Sequence, residues 1–294
     1  MSEPSDDPNV NYTALAWILF IYSIYSVVFS LILCGFFIAY PFLKTMAGKL
    51  ILLMSIMEII SFIDTSITSF YYIVNEAPLS DDYPEFCRGL GFILSFTDIY
   101  KNFLVFLIAL FCYLEICHKC NSLKYHKFAY IALTLVSLLV SSIPFMIDFD
   151  NSYTQSDKIQ CWFQNEMAAM LVHYMPLVLS FILSLLLMYL SLRKFRASPN
   201  YHSNYLLKLF VFPIILFSSY LLPLIRRILQ YSYVDWTPLV YVMYMFIPMH
   251  GVFNAVFYVY INKFIRERLK FIILCRSEAL SFLDNELQES IVVE

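Results

Sequence analysis

Seven apolar stretches, each long enough to cross a bilayer, occupy most of this 294-residue chain: 14–40, 50–74, 87–117, 128–147, 166–192, 205–230 and 237–261. A hydrocarbon core about 30 Å thick takes about 20 mostly apolar residues as helix. None of the segments between them is long enough for a soluble domain. With 61% of residues hydrophobic and 14% charged, the balance is far from that of a water-soluble domain. The expected fold is all-α: an integral membrane bundle of seven transmembrane helices over 14–261, between the tail 1–13 and a carboxyl-terminal region.

The loops give the bundle a direction. Lys44 and Lys49 follow the first span, Lys119, Lys124 and Lys127 the third, and Arg193, Lys194 and Arg196 the fifth. Basic residues accumulate on the cytoplasmic side. The opposite loops carry Glu76, Asp81, Asp82 and Glu85, then Asp148, Asp150 and Asp157, then Asp235, with Arg88 and Lys158 as their only basic residues. The threading is therefore predicted to leave the amino terminus outside and the carboxyl terminus in the cytoplasm, with the plasma membrane as the expected location. Residues 1–10 are polar and lack the apolar core and cleavage site of a removable signal peptide, so the first span is expected to act as an uncleaved one.

Several positions invite modification or bending. Asn11-Tyr12-Thr13 matches the N-x-[ST] glycosylation acceptor on the outer side, although such a triplet is common by chance and lies close to the membrane. Of seven cysteines, Cys87 and Cys161 alone fall on the outer side, where an oxidising environment makes them a candidate disulfide, the alternative being two unpaired thiols. Cys117-x-x-Cys120 lacks a second pair or a histidine at zinc spacing, so no metal is expected. Pro176, Pro213, Pro223 and Pro248 interrupt the last three spans and mark bends. Beyond Tyr260, residues 262–274 alternate Phe264, Leu269, Phe271 and Ile272 with Lys263, Arg266, Arg268 and Lys270, the pattern of a short amphipathic helix on the anionic inner leaflet. Cys275 next to it is a candidate palmitoylation site, and 275–294 reads as an acidic flexible tail.

Ionisable residues inside the spans carry most of the functional signal, because each costs about 2.5–3.5 kcal/mol to insert at mid-membrane. At about 100° per residue, Ser55, Glu58, Ser61, Asp64, Thr65 and Thr68 share one half of the second span, and Ser95, Asp98, Lys101 and Asn102 one face of the third. Both faces are predicted to look inward. A rise of 1.5 Å per residue places Asp64 and Asp98 roughly 15 Å below the outer surface, with Lys101 about one turn deeper as the natural counter-ion of one of them. Arg226 and Arg227 lie within about 6 Å of the outer end of span six. Together these residues suggest that an anionic or strongly hydrogen-bonding small molecule enters from outside, with Asp64, Asp98, Lys101, Arg226 and Arg227 as candidate contacts. Snorkelling of the two arginines to headgroups is the competing explanation. Deeper, Glu58 and Asn254 come to similar depth and are candidate partners, with Tyr258 one turn further in. His173 and His250 read as hydrogen-bonded core residues.

Three segments carry a resemblance: Phe212-Pro213 with Leu222-Pro223-Leu224-Ile225-Arg226, Cys161-Trp162-Phe163 with Tyr174-Met175-Pro176-Leu177, and Gly251-Val252-Phe253-Asn254-Ala255-Val256-Phe257-Tyr258. Together they resemble the G-protein-coupled receptors of the cyclic-AMP-receptor-like class, which includes slime-mould receptors and fungal nutrient-sensing relatives. The resemblance spans the seven-helix plan and is sharpest from Cys161 onward. It implies a Cys87–Cys161 disulfide and a mobile sixth helix containing Pro223 and Arg226, and places Asn254 and Tyr258 in the inner part of the seventh; the residues themselves make Glu58, Pro223, Asn254 and Tyr258 candidates for an activation switch, with a satisfied core pair of Glu58 and Asn254 as the alternative. It also implies that an external ligand opens an inner cavity to the carboxyl-terminal helix of a heterotrimeric G protein. Glu115-Ile116-Cys117-His118 stands where rhodopsin-like receptors carry an acidic-Arg-Tyr triplet, and Ala255 follows Asn254 where they carry proline; both set the chain apart from that class.

Rival functions are weaker. A retinal protein needs a lysine in the last span, and 237–261 has none. A small-solute or ion transporter using Asp64, Asp98 and Lys101 is the main alternative, although no pair of broken inverted repeats is visible. The five histidines, His118, His126, His173, His202 and His250, are too scattered for an intramembrane metallohydrolase, so no enzyme and no cofactor are expected. Nothing points to nucleic acid.

Overall fold

The computed structural model describes residues 10–40, 46–118, 126–147, 149, 152–154, 159–163, 166–197, 209–231 and 237–273. Its helices are α1 (Tyr12–Ala39), α2 (Met46–Asn75), a single turn α3 (Leu79–Asp82), α4 (Pro84–His118) and α5 (His126–Ile147). A two-residue antiparallel pair follows, β1 (Tyr153–Thr154) with β2 (Trp162–Phe163). Then come the turn α6 (Glu166–Ala169), a π-helical turn (Met170–Tyr174), α7 (Met175–Ala197), α8 (Val211–Tyr231), α9 (Thr237–Ile261) and α10 (Lys263–Ile273).

Six helical segments are long and apolar enough to cross a membrane: Tyr12–Ala39, Gly48–Asn75, Pro84–His118, Lys127–Ile147, Met167–Arg196 and Pro238–Ile261. The remaining predicted span, 205–230, falls on α8, whose described apolar part, Val211–Arg226, is shorter. The chain is thus an all-α, multi-pass membrane bundle. Its outer faces agree, since Trp17, Ile24, Leu31 and Ile38 run exposed along α1, and Phe128, Ile131, Leu135 and Leu139 along α5. Apolar patches of this extent have no stable place in water.

The inward faces are unusually polar. α4 is the hub, touching α2, α5, α7, α8 and the hairpin. On α1, Ser23, Ser26 and Ser30 are fully buried at helical spacing and let α1 lie close to α2 and α9, as small residues do between membrane helices. Ser26 donates to the Pro248 carbonyl. A Cβ on Gly251 would come within 3.1 Å of Ser26 and 3.0 Å of Phe62, so a hydrogen there is what the close approach requires.

One end of the bundle is closed by the hairpin. The Cys87–Cys161 disulfide ties it to α4, and a Cβ on Gly91 would stand 2.8 Å from Tyr153 Cβ, so strand and helix touch. Tyr153 is fully buried, donates to the Ser141 carbonyl at 2.7 Å, and packs against Phe145 and Phe163. Burial pushes its phenol well above the ordinary tyrosine range. At the same end Arg88 pairs with Glu85 at 3.2 Å and lies 4.8 Å over the Phe149 ring, while Tyr71 donates to Asp82.

Helix ends are capped as the sequence allows. Asn11 Oδ1 accepts from Ala14 N at 3.0 Å, and Asn262 Oδ1 from Ile265 N at 3.2 Å. In α10, Arg268 does not join an outward basic stripe: it is buried, 5.6 Å over the Tyr40 ring, beside fully buried Ile265. Cys275, the tail 275–294 and the loop cations Lys44, Lys119 and Lys124 lie outside the described residues.

Candidate functional site

Beneath the hairpin is a cavity whose walls come from six parts of the chain. α2 contributes Ser61, Phe62 and Thr65; α4 Leu94 and Asp98; the hairpin Gln160 and Trp162; the π turn His173 and Tyr174; α8 Tyr220, Pro223 and Arg226; α9 Met243, Tyr244 and Ile247. Within each helix these residues recur at three- or four-residue spacing, so each presents one stripe to the same space. The cavity measures about 60 Å³, counted as room for the centres of water-sized molecules. One water takes roughly 10–15 Å³ on that measure, so the space admits roughly four to six.

Proline shapes the wall next to α7. Pro176 has no N–H to give the Val172 carbonyl and its ring crowds that carbonyl. The preceding turn widens into the π form, and Met175 N bonds Met170 O instead. Widened turns of this kind are frequent at functional sites. Here the turn brings His173 and Tyr174 into the core, 1% and 5% exposed. His173 stands edge-on to Trp162 at 5.0 Å and 5.3 Å from Tyr220, and Tyr220 in turn lies 6.1 Å from His250. His173 Nδ1 has no protein hydrogen-bond partner among the described residues.

Behind the floor of the cavity is a buried ion pair. Lys101 Nζ lies 2.7 Å from Asp98 Oδ1, with both side chains at most 7% exposed. Ser61 ties the two together, its hydroxyl 3.4 Å from Asp98 and 3.3 Å from Lys101, and the ammonium sits 5.3 Å from the centre of the Phe62 ring. Asp98 also faces the Tyr220 phenol across the bundle. Asp64, one helical turn from Ser61, is 3% exposed, feels the charge of Asp98, and has neither carboxyl oxygen hydrogen-bonded among the described residues.

A second polar cluster lies deeper. Asn254 Nδ2 donates to Glu58 Oε1 at 2.6 Å, and Ser30 Oγ to Oε2 at 2.9 Å. His250 Nδ1 is 3.0 Å from the Ile247 carbonyl and so carries a hydrogen, which turns Nε2 toward Glu58 Oε1 at 3.5 Å. Glu58 thereby joins α1, α2 and α9. Tyr258, one turn along, is 1% exposed and stacks on Phe37 at 5.3 Å.

Of the five residues singled out in the sequence for ligand contact, Asp98 and Arg226 line the cavity. Lys101 stands behind Asp98, Asp64 faces the same polar core without reaching the lining, and the Arg227 side chain lies outside the described residues. Sequence reasoning read His173 as a hydrogen-bonded core residue, whereas it lines the cavity, and missed Tyr220, Gln160 and Tyr244. Tyr220 was within reach, because it precedes Pro223 and Arg226 at steps of three, and Tyr244 recurs with Ile247 on α9. The places of His173 and Gln160 depend on the widened turn and the hairpin, which leave no periodic trace. His250 was read as a hydrogen-bonded core residue and sits as one.

No protein-family model matches the chain. No curated protein matches it either.

Proposed function

We propose that this chain is a seven-transmembrane, G-protein-coupled receptor for a small extracellular molecule, resembling the cyclic-AMP-receptor-like class. In this reading α8 is the sixth of seven spans, and the hairpin end faces outward at the plasma membrane. The basic loops and the carboxyl terminus then face a heterotrimeric G protein. α10 lies along the inner leaflet, with Asn11 as an outer glycosylation acceptor and Cys275 as an acylation site. The observation that carries the proposal is the cavity under the disulfide-tied hairpin, two of whose walls, α2 and α9, also meet at Glu58. Tyr220 and His250 stand between the two levels, so a solute that repositions Tyr220 pushes on the α2–α9 polar joint. The ligand shifts the balance only by binding one arrangement more tightly than the other.

A transporter is the second reading, favoured by the buried Asp64 carboxyl group, which has no hydrogen-bond partner among the described residues, near the Asp98–Lys101 pair. Co-expression with a panel of chimeric G proteins, screened against nucleotides, sugars, amino acids and lipids, separates the two. The receptor reading expects ligand-dependent nucleotide exchange that Arg226→Glu abolishes at unchanged surface expression. Radiolabelled solute uptake into proteoliposomes holding only this chain, with no exchange in any chimera, would replace it with the transporter.

A further inference from the structure

The cavity has a charge pattern as well as a size. Its lining holds one carboxylate, Asp98, and one guanidinium, Arg226, on different helices. Asp98 reaches the cavity with carboxylate lone pairs beyond the one that Lys101 occupies at 2.7 Å. Arg226 lies about 1.5 turns from the end of α8, toward the mouth. A guanidinium has five donors, so a partner elsewhere leaves donors for a bound anion.

Between the two charges the wall is aromatic: Phe62, Trp162, Tyr174, Tyr220 and Tyr244 all reach the cavity. Ring faces attract cations, and the Phe62 ring already receives the Lys101 ammonium. In the lining, His173 Nδ1 is buried and has no hydrogen-bond partner among the described residues. An unpaired polar group at this depth is costly, so whatever fills the cavity has to supply one.

We infer that the cavity takes a compact zwitterion of amino-acid size, its carboxylate held by Arg226 and its ammonium by Asp98 among the aromatic walls, with His173 completing its hydrogen bonds. The size argument is independent of charge. Replacing roughly four to six waters makes room for about six to ten covalently joined non-hydrogen atoms. A simple amine satisfies only the floor and a simple carboxylate only the mouth. A sugar offers neither charge, and a nucleotide only the anionic one. The inference rests on the receptor reading for its consequence in signalling, while the binding event itself does not require a G protein.

The test uses the full chain purified into phosphatidylcholine nanodiscs and a matched set of solutes: alanine and 4-aminobutyrate as zwitterions, butyrate and butylamine as their single-charge counterparts, with glucose and cyclic AMP. One of the two zwitterions is expected to raise the melting temperature by about 5 °C at a hundredfold excess over its Kd, while the single-charge compounds leave it unchanged. Arg226→Gln should abolish the shift and Arg226→Lys retain part of it, each read against the solute-free melting temperature of the same variant. Stabilisation by butyrate, butylamine, glucose or cyclic AMP equal to or above that of either zwitterion overturns the assignment. So does the absence of a shift with both zwitterions, or an unaltered shift in Arg226→Gln. Nucleotide exchange is measured separately in the same discs with added G protein, so a zwitterion that binds without exchange refutes the receptor and leaves the site standing.

Discussion

Removing one member of the Asp98–Lys101 pair should harm the protein more than removing both. At 2.7 Å and an effective dielectric constant near 20, Coulomb attraction amounts to roughly 6 kcal/mol. Stripping water from each ion costs several kcal/mol, so the intact pair contributes little net stability. The asymmetry appears on substitution. Lys101→Met leaves the Asp98 carboxylate buried without its counter-ion, and Asp98→Asn leaves a fully buried ammonium without its 2.7 Å partner. Each single variant should lose about 3–5 kcal/mol. The double variant carries no uncompensated charge in the pair, keeps the shape of both side chains, and should recover at least half of that loss. The assay is unfolding in mixed micelles with increasing sodium dodecyl sulfate, followed by Trp fluorescence and analysed as a double-mutant cycle. A double variant no more stable than the worse single one would show that the pair is not the electrostatic unit described. So would a Lys101→Met loss below about 1 kcal/mol, since water would then be reaching the site.

The Glu58–Asn254 contact should give a smaller coupling, about 1–2 kcal/mol in the cycle Glu58→Gln with Asn254→Ala, because charge-assisted bonds in membrane interiors fall at the lower end of their range in water; a coupling near zero in the same unfolding assay would deny the 2.6 Å bond. Gly91→Ala should cost about 1–3 kcal/mol by overpacking against Tyr153, and Gly91→Ser more, read as a fall in melting temperature. Cys87→Ser with Cys161→Ser frees a 74-residue separation and should cost up to about 4 kcal/mol on the chain-entropy scale; a dithiothreitol-treated wild type should match the double variant, and a wild type indifferent to reductant would refute the bond. Asn11→Ala removes the α1 cap and should cost about 1 kcal/mol, measured by hydrogen exchange at the first turn.

The helices were legible because a bilayer imposes length and composition on them, and the expected 237–261 agrees with α9, Thr237–Ile261. The inward faces of α2 and α4 were legible for the same reason: charge and hydroxyl at helical spacing have nowhere else to go in lipid. Matching depth brought out Glu58 and Asn254 as partners before any coordinate. Other features were hidden in irregular backbone. Pro176 was legible as an interruption of its span, but not that the turn before it would widen to the π form. Nor does spacing say that Gln160 and Trp162 fold down over the bundle. Pro144, inside α5, stands near Ser137, Ser141 and Ser142, which spacing alone ties to no site. Which aspartate Lys101 would choose was open, since i−3 on the same helix and a neighbouring helix are equally near on a helical wheel.

The placement of Trp162 gives the protein an optical signal of its own. The chain holds three tryptophans; Trp17 faces outward from α1, whereas Trp162 is partly buried in the cavity wall with its ring 5.0 Å from that of His173. Emission from such an indole responds to hydration and to the imidazole beside it, so expelling a handful of waters alters its colour and lifetime without any dye or label. Selective excitation of a background carrying both Trp17→Phe and Trp236→Phe would turn solute titration into a direct readout of the space beneath the hairpin.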